Sequence, residues 1–388
     1  MFEEFFTAIN KGEVIDNSFN HENTWASKIN FNDNSVTEFG ETKLCIIGVC
    51  EERGAGKNKG TAKAPDEIRK ELYKLSLANY DLQILDLGNI SAGATPRDTY
   101  VALSKVVNEL LRVKIIPIII GGSHDVMFGQ FGAYTDLKEM INISVVDSRF
   151  DLEHFEDENF NNESVLSRLL VHEPNIIFNM SMLGYQTHFT KTFATETFEK
   201  LNFDAHRLGL IRSNSSDMEP VLRNTNLFAV DVSAIRYADA PGCANATPNG
   251  LNGEDACQLC YYAGLSEKVS SFGLYEMNPQ FDVRNQTAQL SAQLIWYFVD
   301  GFYKRKNDFP KDDDADYTKY ILHFKDNAYE MTFWKSKKTD RWWMEILPAQ
   351  TGRIKAKPVL IPCAYNDYLA ATREELPERW LKAVGKFG

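Results

Sequence analysis

The stretch 141–153, INISVVDSRFDLE, constrains the fold of this chain more than any other. Its first six residues, Ile141–Val146, form an apolar run of strand length, the pattern of a parallel strand buried on both faces. Three polar residues follow at alternate positions, Asp147, Arg149 and Asp151, and an extended backbone would point all three to one side. The carboxyl end of such a strand is where open α/β sheets place their chemistry. The competing reading is a surface ion pair in a strand-to-loop turn, which contributes little to stability.

Strand-like and helix-like segments alternate around this stretch. Strands are expected at 43–49 (KLCIIGV), 82–87, 114–120 and 271–276, and further segments of the alternation lie at 175–180, near 208–212 and at 227–232. Helices are expected after Pro65, where Ile68, Leu72 and Leu75 share a face, at 102–111, and from Thr287 onward. Alternation of this kind predicts an α/β fold with a parallel sheet. Residues 1–42 read as an N-terminal arm with a short helix near 2–9, and 43–305 as the main domain. The charged, proline-containing stretch 306–316 reads as an exposed linker. Beyond it, 317–324, 328–336 and 341–347 are rich in aromatic and β-branched residues. They predict a small antiparallel sheet within a C-terminal extension, 317–388, that closes on a helix ending near 384. Trp334, Trp342 and Trp343 read as packing within that sheet.

Composition removes several classes of function. A net charge of −12 argues against nucleic acid or an anionic membrane as partner. No apolar stretch approaches the ~20 residues of a membrane span. The acidic start, MFEEFFTAINKGEV, lacks the layout of a signal peptide, and six scattered cysteines suit reduced thiols, so a cytoplasmic location is expected. Gly54, Gly56 and Gly60 fail the spacing of a phosphate loop. The pair Cys257 and Cys260 lies in a helical pattern beginning near Asn252, without the second pair that a zinc site needs, and reads as buried helix cysteines.

Three strand ends carry polar residues: GGSH at 121–124, DSRFD at 147–151, and Asp231-Val-Ser233 after an apolar run. Parallel strands release their chains on one edge, so these ends can converge. His124 with Asp147, Asp151 and Asp231 would offer one nitrogen and several carboxylate oxygens, a donor set suited to Mn²⁺, Fe²⁺ or Zn²⁺.

The ordered set resembles the arginase (ureohydrolase) superfamily of arginases, agmatinases and formimidoylglutamases. Those proteins carry G-G-x-H, D-x-H-x-D and D-x-D running on to A-P-G. Here the motifs stand as GGSH (121–124), DSRFD (147–151) and DVSAIRYADAPG (231–242). The likeness extends to IIGV (46–49), the G-x-A-x-A-P-x-x-I-R segment (60–69) and YEMNP (275–279), and it spans roughly 43–305. GGSHDVMFGQF and LGYQTHF (183–189) look most like the formimidoylglutamase branch.

The resemblance implies a three-layer α/β/α domain around a mainly parallel, eight-stranded sheet. It implies two Mn²⁺ ions bridged by a hydroxide that attacks an amidine or guanidine carbon. Matched residue by residue, His124, Asp147, Asp151 and Asp231 fall on the ligands of one ion. The second ion's own ligands are replaced, by Arg149 and Ser233. An arginine cannot give up its proton to bind a metal. Three aspartates and one arginine sum to −2, which one divalent ion neutralises, so one Mn²⁺ per chain is expected, with Arg149 in or beside the place of the other. Glu276 matches the family's glutamate near the substrate amidine, Ser233 is expected to bind substrate or water, and Asn162 and Ser164 are further substrate-binding candidates. His154 and His188 are candidate proton donors through sequence proximity only. The expected activity is hydrolysis of a linear amidine C–N bond, most like formimidoylglutamate to glutamate and formamide. The alternative is a catalytically impaired protein of the same fold with a binding or structural role. The family often forms trimers or hexamers, so a homo-oligomer is allowed, although the C-terminal extension would alter such a contact.

Overall fold

The computed structural model describes residues 5–16, 18, 21–32, 39–78, 80–156, 158–310, 315–324, 329–348 and 357–387. The strands in chain order are β1 (Phe6–Thr7), β2 (Asn30–Phe31), β3 (Leu44–Cys50), β4 (Ile84–Ser91), β5 (Ile116–Gly121), β6 (Ile141–Val146), β7 (Ile177–Tyr185), β8 (Asp204–Arg207), β9 (Leu227–Asp231) and β10 (Ser271–Tyr275). These build one ten-stranded sheet. Eight of them run in parallel in the order β4-β3-β5-β10-β9-β6-β7-β8, and two short edge strands complete it. β2 adds parallel to β4, and β1 adds antiparallel to it.

The strands are bulky and apolar because helices cover both faces. On one face Ile46, Ile118, Phe228 and Phe272 pack with Leu259 and Leu294 of the helices Gly253–Leu265 and Gln286–Tyr303. On the other, Ile47, Ile119, Val145 and Met180 meet Leu103 and Phe131 of the helices Pro96–Arg112 and Met127–Thr135. This is the expected α/β/α sandwich. The helix Gly253–Leu265 starts at Asn252, whose side chain accepts from the Asp255 N–H at 2.7 Å, and Cys257 and Cys260 are buried within it.

Four strands, β11 (Tyr317–Phe324), β12 (Tyr329–Ser336), β13 (Trp342–Ile346) and β14 (Val359–Cys363), form a separate antiparallel sheet in simple succession. Its core of Phe333, Met344 and Ile346 is covered by the helices Tyr365–Thr372 and Glu378–Phe387. Trp334, Trp342 and Trp343 are all buried in this sheet.

Several local expectations are corrected. The segment near 2–9 is not helical where it is described: Phe6–Thr7 pairs with Ile90 and Asn89, because Phe6 buries its ring against the sheet edge; residues 2–4 lie outside the described residues. The stretch near 208–212 is a helix, Leu208–Ser213, and the strand precedes it. In the stretch read as an exposed linker, Asp308 is buried and accepts hydrogen bonds from the hydroxyls of Tyr317, Ser336 and Thr339. β14 and the break into two C-terminal helices carried no pattern that set them apart.

Candidate metal centre and active site

The four central neighbours of the sheet, β5, β10, β9 and β6, end level with one another. Each hands its chain to a polar residue: His124 after β5, Glu276 after β10, Asp231 at the end of β9 and Asp147 after β6. Adjacent strands lie about 4.8 Å apart, so side chains leaving consecutive ends share one small volume.

Gly122 permits the turn that brings His124 in. Its backbone lies so close to Glu51 that an added Cβ would sit 1.8 Å from the Glu51 carbonyl oxygen. His124 is wholly buried, and its Nδ1 lies 2.8 Å from Asp151 Oδ2 and 3.7 Å from both Asp147 Oδ2 and Asp231 Oδ2. One ligand atom from each of these four residues falls within 4.8 Å of every other, and among the described residues this is the one such His/Asp group. The sequence-derived set is therefore brought together in full.

The donors fit a divalent cation. Burial, then mutual repulsion, holds the carboxyls of Asp147 and Asp151 well above the ordinary range, and burial raises Asp231. Asp147 Oδ2 is buried with no hydrogen-bond partner. A cation among these oxygens relieves both conditions. Asp147 Oδ1 takes the Arg149 N–H at 3.0 Å, and Asp231 Oδ1 takes the Ser233 N–H at 2.6 Å, which fixes the rotamers that leave the other oxygens facing His124.

Arg149 behaves differently from the alternate-face expectation. The strand stops at Val146, the backbone bends, and Asp151 adopts a left-handed φ of 41°. This curl returns Asp151 to Asp147, while the Arg149 guanidinium lies 4.7 Å over the Phe189 ring. Arg149 Nε is buried without a partner. Its charge is still felt at Asp151 and Asp231, lowering both. Arg149, Asp151, Glu163, Phe189 and Lys191 line a cavity of about 240 Å³ beside the cluster.

Glu276, also buried, has a left-handed φ of 70°. Its Oε1 accepts the His124 N–H at 2.7 Å and Asn162 Nδ2 at 3.1 Å, and its Oε2 accepts Asn58 Nδ2 at 2.6 Å. Burial, with Asp231 adding to it, pushes its carboxyl up to about 8. Asn162 thus braces Glu276, and Ser164 bonds Asn161 at both its N–H and its carbonyl, capping the turn that carries Asn162. Ser233 is buried beside Asp231. His154 and His188 are exposed.

Sequence reasoning missed Asn58 and Asn278. Asn278 donates to the Asn58 and Lys59 carbonyls at 2.9 Å each, locking the 54–60 loop against the strand end. Gly60, at φ 126°, is required because a Cβ would meet Asn278 at 2.4 Å. The Asn-Pro of YEMNP and the glycine-rich loop were the available signals, seen separately.

A model of the Arginase family matches residues 42–300. The chain belongs to the arginase family. Formimidoylglutamases are among the relatives of this arginase-family chain: that of Clostridium tetani is 26 % identical over 301 residues, covering 72 % of this chain and 89 % of the relative. That of Staphylococcus haemolyticus is 25 % identical over 270 residues, covering 67 % and 86 %. The fold matches a formimidoylglutamase structure from Bacillus subtilis with a TM-score of 0.66 at 21 % identity, over 75 % of this chain and 94 % of that one. It matches a Trypanosoma cruzi formiminoglutamase with Mn²⁺ with a TM-score of 0.64 at 20 % identity, over 70 % and 97 %. Residues beyond 300, including the whole C-terminal sheet, lie outside the family match.

Proposed function

We propose that this protein is a metal-dependent hydrolase of a linear amidine C–N bond, acting on N-formimidoyl-L-glutamate or a close analogue and releasing glutamate and formamide. The observation that carries the reading is the meeting of His124, Asp147, Asp151 and Asp231 next to a buried Glu276. The family and the formimidoylglutamases among its relatives support the substrate class.

His124, Asp147, Asp151 and Asp231 would hold one ion of the Mn²⁺ type. Such an ion supplies a Lewis acid and a water acidified enough to attack at neutral pH. The protein's own groups do the rest. Glu276 Oε2 receives one hydrogen bond, from Asn58, which leaves a lone pair for an N–H of the cationic formimino group. A cationic substrate there also favours the ionised carboxylate against the burial that opposes it. Ser233, beside Asp231, binds substrate or water. Arg149 takes over part of the charge balance that a second ion would have carried. Its guanidinium, on the wall of the neighbouring cavity, meets a carboxylate of the substrate, a pairing arginine geometry favours. Asn162 acts by holding Glu276, and Ser164 by capping the turn that carries Asn162.

Product release from formimidoylglutamate, arginine, agmatine and 4-guanidinobutyrate in Mn²⁺ tests this. Glutamate and formamide from the first substrate alone are expected. Silence on all four, with the protein folded, would overturn the hydrolase and favour a ligand-binding role, for which Arg149 and Ser233 are the motivating residues. Elemental analysis should find one tightly held Mn²⁺ per chain, and two in the double variant Arg149→His with Ser233→Asp.

A further inference from the structure

A second cavity lies at the opposite edge of the main sheet. Asn142 stands at the start of β6, Arg223 and Asn224 just before β9, and Lys268 just before β10, so this cavity sits at the amino ends of the strands whose carboxyl ends carry the metal ligands. Its volume is about 510 Å³, enough for a small organic molecule. The other wall is the C-terminal sheet, through Trp343 and Ile361, with Phe309 from the stretch that precedes it. That wall lies beyond residue 300, outside the part shared with the arginase family.

Its lining carries charges of both signs, Arg223, Arg341 and Lys268 beside Glu267 and Asp308, and they differ in how far their polar atoms are engaged. Arg223 is buried, its guanidinium lies 4.4 Å over the Trp343 ring, and its Nη2 donates to the carbonyls of Trp342 at 3.0 Å and Cys363 at 3.2 Å. Glu219 is shared between two guanidiniums, that of Arg223 at 3.3 Å and that of Arg341 at 3.1 Å, so neither has this acid to itself. Lys268 adds a further positive charge. The acids on the wall are already engaged: Asp308 accepts three hydroxyls, and Glu267 Oε1 accepts the Asp308 N–H at 2.8 Å. Two buried donors on wall residues, Arg223 Nη1 and Trp343 Nε1, have no partner. Buried donors without acceptors are costly. Phe178, Phe309 and Ile361 supply apolar and aromatic surface.

We infer that this cavity binds a small anion carrying an apolar body, an aromatic or branched carboxylate, in a site distinct from the metal centre. The carboxylate lies against Arg223, Arg341 and Lys268, and the apolar part against Trp343 and Phe309. The inference requires no particular activity at the metal centre.

Titration of the full-length protein with 1-naphthoate, followed by calorimetry and tryptophan fluorescence, tests it. Saturable binding of one molecule per chain is expected, with 1-naphthalenemethanol, a neutral analogue of similar shape, at least tenfold weaker. Lys268→Glu, a change at an exposed residue, and Arg341→Met should each weaken naphthoate at least fivefold while moving the alcohol less than twofold. Mn²⁺ affinity should stay unchanged in both. Absence of saturable binding up to millimolar naphthoate, equal affinity for acid and alcohol, or indifference of naphthoate to both substitutions would each overturn the inference.

Discussion

At the scale of single residues, the centre is a problem of like charges solved by position. Asp147, Asp151 and Asp231 face one imidazole nitrogen in a buried volume, and their carboxyls are all raised. Asp147→Asn should lower Mn²⁺ affinity at least about 100-fold in calorimetry, because it removes both a ligand oxygen and a charge. The same change should raise the melting temperature of the metal-free protein, because it removes repulsion. An acid with a raised folded pKa adds stability below its unfolded value, and this is lost as pH climbs through the folded value. The metal-free protein therefore weakens at this site with rising pH. Mn²⁺ competes with the same protons and binds more tightly as they leave. The melting-temperature gain on adding Mn²⁺ should grow from about pH 5 to about pH 8, and the gain should vanish in Asp147→Asn.

At the scale of elements, the strand ends and their turns fix the geometry. Gly122 lets the backbone after β5 pass Glu51. Gly122→Ala should cost about 1–3 kcal/mol through overpacking and displace His124, seen as lower urea resistance together with weaker Mn²⁺ binding. A distant element offers a test of docking. His206, on β8, faces Arg379 and Lys382 of the last helix and also Asp204 and Glu378, and burial pushes it down to about 4. The folded state keeps this histidine neutral, while the unfolded chain takes a proton near the ordinary value of about 6.5. Its contribution is complete above that value and is lost as pH falls toward 4. Urea midpoints at about pH 7 and pH 5 should fall further in the wild type than in His206→Gln.

At the scale of the molecule, the C-terminal sheet and its last helix are tied to the main domain by buried and half-buried polar contacts. Arg223 reaches the carbonyls of Trp342 and Cys363, Arg341 reaches Glu219, and Lys382 reaches Asp204 at 3.3 Å. Ending the chain after Arg305 would strand Arg223 as an underpaired buried charge. The melting temperature should drop by about 10 °C, while Mn²⁺ binding persists, since every ligand precedes that point. The sequence by itself determined the alternation of strands and helices and the four metal-ligand candidates. Apolar runs of strand length that alternate with helices are buried in a parallel sheet, and such a sheet gathers its carboxyl ends. It did not determine the course of Arg149, because residue alternation assumes an extended chain and the backbone bends at Ser148 and Arg149. Nor did it reveal the bracing of Glu276 by Asn58 and Asn162, which lie 218 and 114 residues away in sequence. The cavity under the C-terminal sheet, with Arg223, Arg341 and Lys268 in its lining, was equally hidden. Those features come from long-range packing, where a side chain's partner is chosen by which surfaces meet and by which buried donors find acceptors.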